Sequence, residues 1–312
     1  MKKIIIISGA TATGKTQQAL SLASRFKGHI VNFDSLLFYK ELNIGTAKPT
    51  LEERKNIPHH LIDIESAKNP IHAAGFVEKA KTIIQELHQK KKIVFLVGGS
   101  GFYLQALING MYDSVTTPKE IIQRSQELYE TKGIKPFLEV LKENDNKSFE
   151  TLHANDHYRV RRAVEHFWST GIPFSIAQEE MKSNSDELEW KKQGWDIFHC
   201  YLEIPKSKHL PIIYQRTKNM IHNGLIEEVR NLLKTQFDGS EKPLQSIGYK
   251  EVIQYLNGDL TSVEELEEMI NISTRRLAKA QRTWFKSKEK EQFNPLSDEE
   301  EIIKNVEKFL NL

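Results

Sequence analysis

The chain has 312 residues, of which 39% are hydrophobic and 28% charged, enough to bury a core and form about two domains. Its 44 basic and 42 acidic residues leave a net charge of +2, which excludes a polybasic tail protein but not a local basic surface for nucleic acid. The single cysteine, Cys200, excludes an internal disulfide and disfavours a cysteine-based zinc site. The longest early apolar run, residues 4–7, is too short for a signal peptide or a membrane span. We therefore expect a cytoplasmic protein with no membrane partner.

A phosphate-binding motif follows the first predicted strand. Residues 9–16, GATATGKT, match G-x-x-x-x-G-K-[ST] between a predicted strand at 4–7 and a predicted helix at 15–26. Gly9 and Gly14 allow backbone conformations that a Cβ would obstruct, so backbone N–H groups and the helix N-terminus can surround an anion. Lys15 adds a positive charge, and the Thr16 hydroxyl suits Mg²⁺. The motif predicts a bound di- or triphosphate, with a glycine turn that binds nothing as the alternative.

The next elements continue the strand–helix alternation and place polar residues at one edge of a sheet. Strands are predicted at residues 30–33 and 93–97, and helices at 76–90 and 102–107. Asp34 and Ser100 each follow a strand, so we expect both at the carboxyl edge, where α/β proteins bind ligands. Asp34 could act as a general base, hold Mg²⁺ through water or cap a short helix. Ser100 could cap the next helix or offer its hydroxyl to a substrate, and Asp63 is a weaker candidate for a metal-binding acid.

The pattern changes in residues 113–194, which show helical periodicity, polar loops and no convincing strand. A strand returns at 198–204, followed by predicted helices at 207–222, 225–234, 245–256 and 262–288. We therefore predict an α/β protein with a P-loop NTPase-like parallel sheet core. Residues 1–112 and 195–312 form this core with its C-terminal helices, and residues 113–194 form an all-helical insertion domain.

Two basic stretches are candidate contacts for nucleic acid. In the first, residues 271–288, one helical stripe carries Arg275, Lys279, Arg282 and Lys286. A second stripe, with Leu277, Ala280 and Trp284, is expected to be buried. The other stretch, residues 153–168, combines Tyr158 with Arg159, Arg161 and Arg162, and Asn155 or Asp156 could cap its helix. The basic stripe suits a phosphate backbone, and the alternative is a solvated amphipathic helix.

The ordered set of motifs resembles the tRNA dimethylallyltransferases, also called tRNA isopentenyltransferases. The resembling segments are GATATGKT (9–16), FDSLLFY (33–39), NIGTAKPT (43–50), PHHLID (58–63), VGGSGFYLQAL (97–107), HANDHYRVRRAVE (153–165), QRTKNMIHNGLIEEV (215–229), SIGYKE (246–251) and TRRLAKAQRTWFK (274–286). They cover nearly the whole chain, in order. The zinc appendage of eukaryotic relatives is absent, so the resemblance is to the bacterial type.

The resemblance implies a prenyltransferase that moves the dimethylallyl group of dimethylallyl diphosphate to the exocyclic amine of the adenosine 3′-adjacent to the tRNA anticodon. It implies that Asp34 is the general base, that Ser100 contacts the target nucleotide and that Arg216 assists the diphosphate. The residues implied to hold the diphosphate, with Mg²⁺ on Thr16, are Gly9, Ala10, Thr11, Ala12, Thr13, Gly14, Lys15 and Thr16. Those implied to contact the anticodon stem-loop are Asp34, Ser35, Leu36, Leu37, Ser100, Tyr158, Arg159, Val160, Arg161, Arg162, Gln245, Ser246, Ile247, Gly248, Tyr249, Lys250, Lys279, Ala280, Gln281, Arg282, Thr283, Trp284, Phe285 and Lys286.

Several positions depart from the family pattern. Ala10 stands where Pro is usual and Thr13 where Ser is usual, and both changes should preserve an amide-lined loop. Ser100 replaces Thr, Leu37 replaces a frequent Gln, and Asn43 replaces a common Asp. The change at Leu37 puts a polar contact there in doubt.

Two rival functions remain open on the residues alone. A small-molecule kinase would hold ATP in the loop and use Asp34 as its base, and it would turn over ATP without RNA. A non-catalytic RNA-binding module would use a nucleotide as a switch and bind tRNA without prenyl transfer. We expect a monomer; whether ATP also occupies the loop stays open.

Overall fold

The structure is a computed structural model that describes residues 2–110, 117–184, 189–235, 237–286 and 290–312. The chain forms two compact units, one of residues 1–108 with 193–312 and the other of residues 109–192. The predicted domain boundary at 112–113 and the predicted helix end at 288 lie outside the described residues.

A six-stranded parallel sheet forms the core of the larger unit. Its strands are β1 (Lys2–Gly9), β2 (His29–Asn32), β3 (His59–His60), β4 (Val94–Val97), β5 (Trp195–Leu202) and β6 (Glu291–Phe293). Their order is β3-β2-β4-β1-β5-β6, and all neighbours are parallel. In the register, Ile5 of β1 lies opposite Phe95 of β4 and Phe198 of β5. The predicted parallel sheet is therefore confirmed, and the apolar residues 4–7 of its central strand are fully buried, as such strands require.

The described residues before the insertion form four α-helices, which alternate with the first strands. They are α1 (Lys15–Arg25), α2 (Leu51–Lys55), α3 (Ala73–Gln89) and α4 (Gly101–Asn109), with a 3₁₀ helix at Ser35–Phe38. Leu22 of α1 is fully buried in one hydrophobic cluster with Ile5 and Phe95 of the sheet. Because α1 is fixed to the sheet in this way, its N-terminus stays at the carboxyl edge, where the loop after β1 ends.

The smaller unit is built from helices. They are α5 (Lys119–Lys132), α6 (Lys135–Asn144), α7 (Asn146–Thr151), α8 (His157–Thr170), α9 (Phe174–Asn184) and α10 (Glu189–Lys192). Phe137 of α6 and Val160 of α8 are fully buried in its core. Asp156 caps α8 by accepting from the Arg159 N–H at 3.2 Å, as predicted for that helix. The described residues of this unit contain no strand, so the predicted all-helical insertion is confirmed.

The described residues of the C-terminal region form five further α-helices. They are α11 (Lys206–His222), α12 (Leu225–Thr235), α13 (Tyr249–Leu256), α14 (Val263–Lys286) and α15 (Glu299–Leu310), with a 3₁₀ helix at Lys242–Gln245. Leu225, Tyr249 and Leu266 join α12, α13 and α14 in a second core, while α15 packs on the sheet through Ile302 and Val306. Among the described helices, none combines the length and the apolar character that a membrane span needs.

Three features differ from the sequence-based expectations. The helix predicted at 245–256 begins only at Tyr249, because Gly248 adopts a left-handed conformation with φ 93° and ends the preceding turn. The edge strands β3 and β6 were not predicted, since two or three residues are too few to show alternation. The helix α15 was also missed, although Ile302 and Val306 have helical i, i+4 spacing.

Candidate active site

The loop between β1 and α1 is a compact turn at the carboxyl edge of the sheet. Gly14 has a left-handed backbone with φ 81° and precedes the first helical residue, Lys15. A Cβ on Gly9 would lie 2.6 Å from the carbonyl oxygen of Leu202, so only glycine allows β5 to approach this closely. Inside the loop, the Thr13 hydroxyl and the Lys15 ammonium each donate to the Ala10 carbonyl at 2.8 Å. The loop thus leads directly into the N-terminus of α1, the position where anions bind best.

A cleft of about 660 Å³ opens beside this loop. Its lining combines the loop, the turns after β2 and β4, α11, the residues before α13, and α14. Asp34, Ser100 and Arg216 all line it together with Lys15 and Thr16. The structure therefore brings the predicted phosphate loop and the three predicted catalytic candidates to one cavity.

The cleft holds two cationic groups and one carboxylate. Burial lowers the pKa of Lys15 to about 8, the Asp34 carboxylate opposes this change, and the Arg216 charge adds to it. Burial also lowers the pKa of Arg216, again opposed by Asp34. Within the described residues, the Arg216 guanidinium makes no hydrogen bond or ion pair. Two desolvated cations with only one carboxylate between them provide a site suited to an anion.

Asp34 is held in place by its neighbour on β2. Asn32 is 2% exposed, and its Oδ1 accepts from the Asp34 N–H at 2.9 Å while its Nδ2 donates to the Asp34 carbonyl at 3.0 Å. The same Nδ2 donates to the Leu61 carbonyl at 2.9 Å. Asp34 Oδ1 accepts from the Leu36 N–H at 3.2 Å, so the predicted cap of a short helix exists. Capping and a place in the cleft are therefore compatible at this residue.

The turn after β4 carries Ser100 between close-packed glycines. The Ser100 hydroxyl accepts from the Ser35 N–H at 3.1 Å, which ties this turn to the one that carries Asp34. A Cβ on Gly101 would lie 2.2 Å from the Trp284 ring, and one on Gly99 would lie 2.6 Å from Gln281 Nε2. Glycine is needed at position 101 because the Trp284 ring of α14 lies directly against this turn, whereas the neighbour of Gly99 is the end of a flexible side chain.

The apolar stripe of α14 lines the cleft, which differs from the prediction that this stripe is buried. The stripe that we expected to be buried lines the cleft, and Leu277 is 38% exposed, because this face of the helix borders the cavity and not the core. That expectation was wrong for Leu277 and Ala280, which are exposed, and for Trp284, which is half-buried.

The basic stripe of α14 is divided between solvent and protein partners. Lys279 and Lys286 are exposed. The Arg275 guanidinium donates to the Tyr214 hydroxyl at 2.9 Å, and Arg282 Nε donates to Glu203 Oε1 at 2.6 Å. Within the described residues, Lys279 and Lys286 are therefore the members of this stripe whose side chains make no hydrogen bond or ion pair.

The other residues implied to contact RNA fall into exposed and buried groups. Gln245 and Lys250 are exposed, and residues 245–248 line the cleft. In the smaller unit, Tyr158 is 68% exposed. Three side chains are instead fully packed in hydrophobic cores, so the structure does not bring them to a surface: Val160, Tyr249 and Phe285.

Arg161 and Arg162 of α8 make contacts within their own unit. The Arg161 guanidinium lies 4.6 Å from the centre of the Tyr129 ring, and Arg162 donates to Glu165 Oε2 at 2.7 Å. These contacts orient both guanidinium groups on one helix.

Asp63 belongs to an ion cluster that joins two loop segments. Its carboxylate accepts from Lys48 at 2.5 Å and from Arg54 at 2.7 Å, and the Lys48 side chain is 2% exposed. Among the described residues, no three His, Cys, Asp or Glu side chains are grouped as metal ligands. The chain's cysteine, Cys200, is buried, and burial raises the pKa of its thiol to about 12.

Sequence reasoning missed Asn32, His209 and Glu203. Asn32 could have been found, because an Asx side chain two residues before Asp34 commonly bonds to the backbone there. His209 and Glu203 make contacts to residues far away in sequence, and no local pattern indicates them.

The parallel sheet, the glycine loop leading into α1 and the charged cleft at the carboxyl edge define a P-loop α/β protein. The sequence profile described as IPP transferase matches residues 37–288, and the chain belongs to that family. The family indicated by the motifs is thereby confirmed.

Three similar proteins illustrate the relationship. A "tRNA dimethylallyltransferase 2" of Geotalea uraniireducens is 39% identical over 283 residues, which cover 91% of this chain and 89% of that protein. A "tRNA dimethylallyltransferase" of Caldanaerobacter subterraneus is 38% identical over 292 residues, with 91% and 89% coverage. The crystal structure of the tRNA isopentenylpyrophosphate transferase from Bacillus halodurans has a TM-score of 0.70 and 29% identity, covering 100% of this chain and 97% of that one.

Proposed function

We propose that this chain transfers the dimethylallyl group of dimethylallyl diphosphate to the exocyclic amine of the adenosine 3′-adjacent to the anticodon of tRNA, with release of diphosphate. The observation that carries the proposal is a single cleft that contains the loop at 9–16, Lys15, Arg216 and Asp34. The names of the relatives support prenyl transfer to tRNA and give no support to the kinase alternative.

The cationic side of the cleft stabilises the leaving group. Allylic carbon becomes a good electrophile as diphosphate departs, so the reaction needs fixed positive charge where negative charge grows. Lys15 and Arg216 supply it, and both are desolvated before substrate arrives. The N-terminus of α1 and the loop amides add oriented dipoles.

The chemistry of the first residues of α1 fits a magnesium ion. The Thr16 hydroxyl is an exposed oxygen donor that lines the cleft, and in the described part of the chain it has no hydrogen-bond partner. Mg²⁺ prefers oxygen ligands and retains several waters, so one protein hydroxyl beside a diphosphate is a suitable set. When bound there, the ion would add positive charge next to the diphosphate.

The Asp34 carboxylate is the proton acceptor. An adenine amine is a poor nucleophile because its lone pair is delocalised into the ring, so the forming N–C bond requires loss of a proton from nitrogen. Oδ1 of Asp34 is engaged with the Leu36 N–H, whereas Oδ2 has no hydrogen-bond partner within the described residues. Asn32 fixes the backbone of this residue, which keeps the free oxygen in the cleft.

The exposed members of the predicted RNA set are the proposed tRNA contacts. Lys279 and Lys286 suit phosphate groups, and the residues before α13 line the cleft that a flipped base would enter. In the smaller unit, the exposed Tyr158 is suited to stacking on RNA. We propose the anticodon stem-loop as the bound region and a cytoplasmic monomer as the active form.

The test is a reaction with purified protein, Mg²⁺, unmodified tRNA and dimethylallyl diphosphate, followed by mass spectrometry of the nucleosides. We expect one dimethylallyl group on adenosine in the anticodon loop. Asp34→Asn should lower kcat about 10²-fold or more and leave the Kd of dimethylallyl diphosphate within about threefold. ATP turnover without RNA and no prenylated nucleoside would favour the kinase and reject the transferase.

A further inference from the structure

Both backbone polar groups of one residue in the phosphate loop, Thr11, are held by side chains from outside the loop. The Thr11 N–H donates to Gln281 Oε1 at 2.7 Å, and the Thr11 carbonyl lies 2.9 Å from His209 Nε2. The next residue, Ala12, has a left-handed backbone with φ 62°. A non-glycine residue in that region persists only where its surroundings enforce it. The contacts to Thr11 are therefore placed where the loop needs external support.

The direction of the His209 hydrogen bonds follows from its second partner. Arg282 Nη2 lies 2.7 Å from His209 Nδ1, and a guanidinium can only donate. Nδ1 must therefore accept, so Nε2 carries the proton and donates to the Thr11 carbonyl. Burial lowers the pKa of His209, and Arg282 and Lys15 add to this effect against Glu203 and the Thr11 bond, which agrees with a neutral ring.

Arg282 is itself anchored at the end of the central sheet. Its Nε donates to Glu203 Oε1 at 2.6 Å, and its Nη2 donates to the Ile204 carbonyl at 3.3 Å. The Glu203 N–H continues the sheet by donating to the Phe293 carbonyl of β6 at 2.9 Å. A continuous series of contacts thus runs from the sheet through Arg282 and His209 to the loop.

The same turn of α14 reaches a second part of the cleft. Gln281, next to Arg282 in sequence, donates through Nε2 to the Gly99 carbonyl at 3.0 Å while its Oε1 holds Thr11. One amide therefore joins the phosphate loop to the turn that carries Ser100.

We propose that His209, Arg282 and Gln281 are positioning residues that hold the Thr11 backbone in the conformation that receives the diphosphate. This inference rests on the proposed function and assigns Arg282 to the loop and not to RNA. Donors that are already in place bind an anion without the entropy loss of ordering a loop. Loss of a contact should therefore weaken diphosphate binding before it affects the chemical step.

The experiment compares two arginines of the same helix. Calorimetry would measure the Kd of dimethylallyl diphosphate with Mg²⁺ and without tRNA, for wild type, Arg282→Met and the exposed control Arg276→Met. We expect Arg282→Met to raise this Kd about tenfold, since a charge-assisted network is lost, and Arg276→Met to leave it unchanged. The Kd of tRNA should stay within about twofold for Arg282→Met.

Histidine variants separate positioning from general damage. His209→Leu removes the donor to Thr11 and should raise the diphosphate Kd about tenfold, with kcat at saturation within about threefold of wild type. His209→Gln retains an amide donor and should restore binding to within about threefold. If either the arginine or the leucine variant unfolds at assay temperature, Gln281→Met, which leaves the His209–Arg282 pair intact, supplies the same comparison.

Two results would overturn the inference. One is an unchanged diphosphate Kd in folded Arg282→Met and His209→Leu enzymes. The other is a weaker, less salt-dependent tRNA affinity in Arg282→Met without a diphosphate effect, which would assign Arg282 to the RNA. Failure of the proposed function looks different: the wild-type protein would bind dimethylallyl diphosphate and yet transfer nothing to tRNA.

Discussion

Lys15 is predicted to limit the stability of the free protein while providing diphosphate affinity. Burial lowers its pKa from 10.5 to about 8, partly opposed by Asp34. At about 1.4 kcal/mol per pKa unit, keeping this lysine charged destabilises the folded state by about 3 kcal/mol below pH 8. Lys15→Met removes that penalty and also a hydrogen bond to Ala10, which is worth about 1 kcal/mol. The net expectation is a gain of about 2 kcal/mol at pH 7.

The effect should depend on pH in a defined direction. Above about pH 8 the folded wild-type protein releases the Lys15 proton while the unfolded chain keeps it until about pH 10.5. The unfolded state then binds more protons, so wild-type stability from this group rises with pH. The advantage of Lys15→Met is therefore largest below pH 8 and declines as the pH approaches 10.5.

Urea unfolding without ligand, at pH 7 and at pH 10, measures the difference. The exposed Lys208→Met serves as a matched control and should change stability by less than about 0.5 kcal/mol at either pH. Calorimetry should show that Lys15→Met loses about tenfold to hundredfold in affinity for dimethylallyl diphosphate. A variant that is no more stable than wild type at pH 7, or whose difference is the same at both pH values, would refute the reasoning.

Three further predictions concern the turn against α14, the basic stripe of that helix and the ion cluster at Asp63. Gly101→Ala places a Cβ 2.2 Å from the Trp284 ring and should lower kcat/KM about tenfold or more. The comparison variant Gly75→Ala has open space inside α3 and should raise stability by about 0.5–1 kcal/mol in urea unfolding. Lys279→Ala should weaken tRNA binding and reduce the slope of log Kd against log salt by about one, and an unchanged slope would assign this lysine to solvent. Asp63→Ala leaves its two cationic partners unpaired, so urea unfolding should show a loss of about 3 kcal/mol, and a loss below about 1 kcal/mol would contradict a structural role.

The parts of the fold that were predicted correctly rest on local patterns. The β-branched run at 4–7 followed by GATATGKT identifies a buried strand, a loop and a helix start without any long-range information. The positions of Asp34 and Ser100 follow from one topological rule, since the ends of parallel strands lie at one edge. Periodicity also located α14 to within a few residues.

Periodicity could not show which face of α14 meets the core. The same apolar spacing on a helix can serve a core or the wall of a cleft, and Leu277 and Trp284 are in the second situation. The same limit applies to the basic stripe, because Glu203, the partner of Arg282, is 79 residues away in sequence. A charge pattern records which residues share a face, and only the fold decides what that face meets.

Helix α14 therefore serves two functions from one face, since Leu277, Gln281 and Trp284 have i, i+4 and i+7 spacing. Leu277 and Trp284 form part of the cleft wall, while Gln281 reaches the phosphate loop and the turn with Ser100. Any displacement of the helix changes the wall, the loop and that turn together, because rigid packed elements move as units. Gly101 leaves no room for a Cβ against the Trp284 ring, so a displacement of the helix toward this turn meets the backbone of the turn. Substitutions that displace the whole helix are consequently expected to affect diphosphate binding and nucleotide placement together, whereas Arg282→Met removes one contact, leaves the helix in place and is expected to affect diphosphate binding alone.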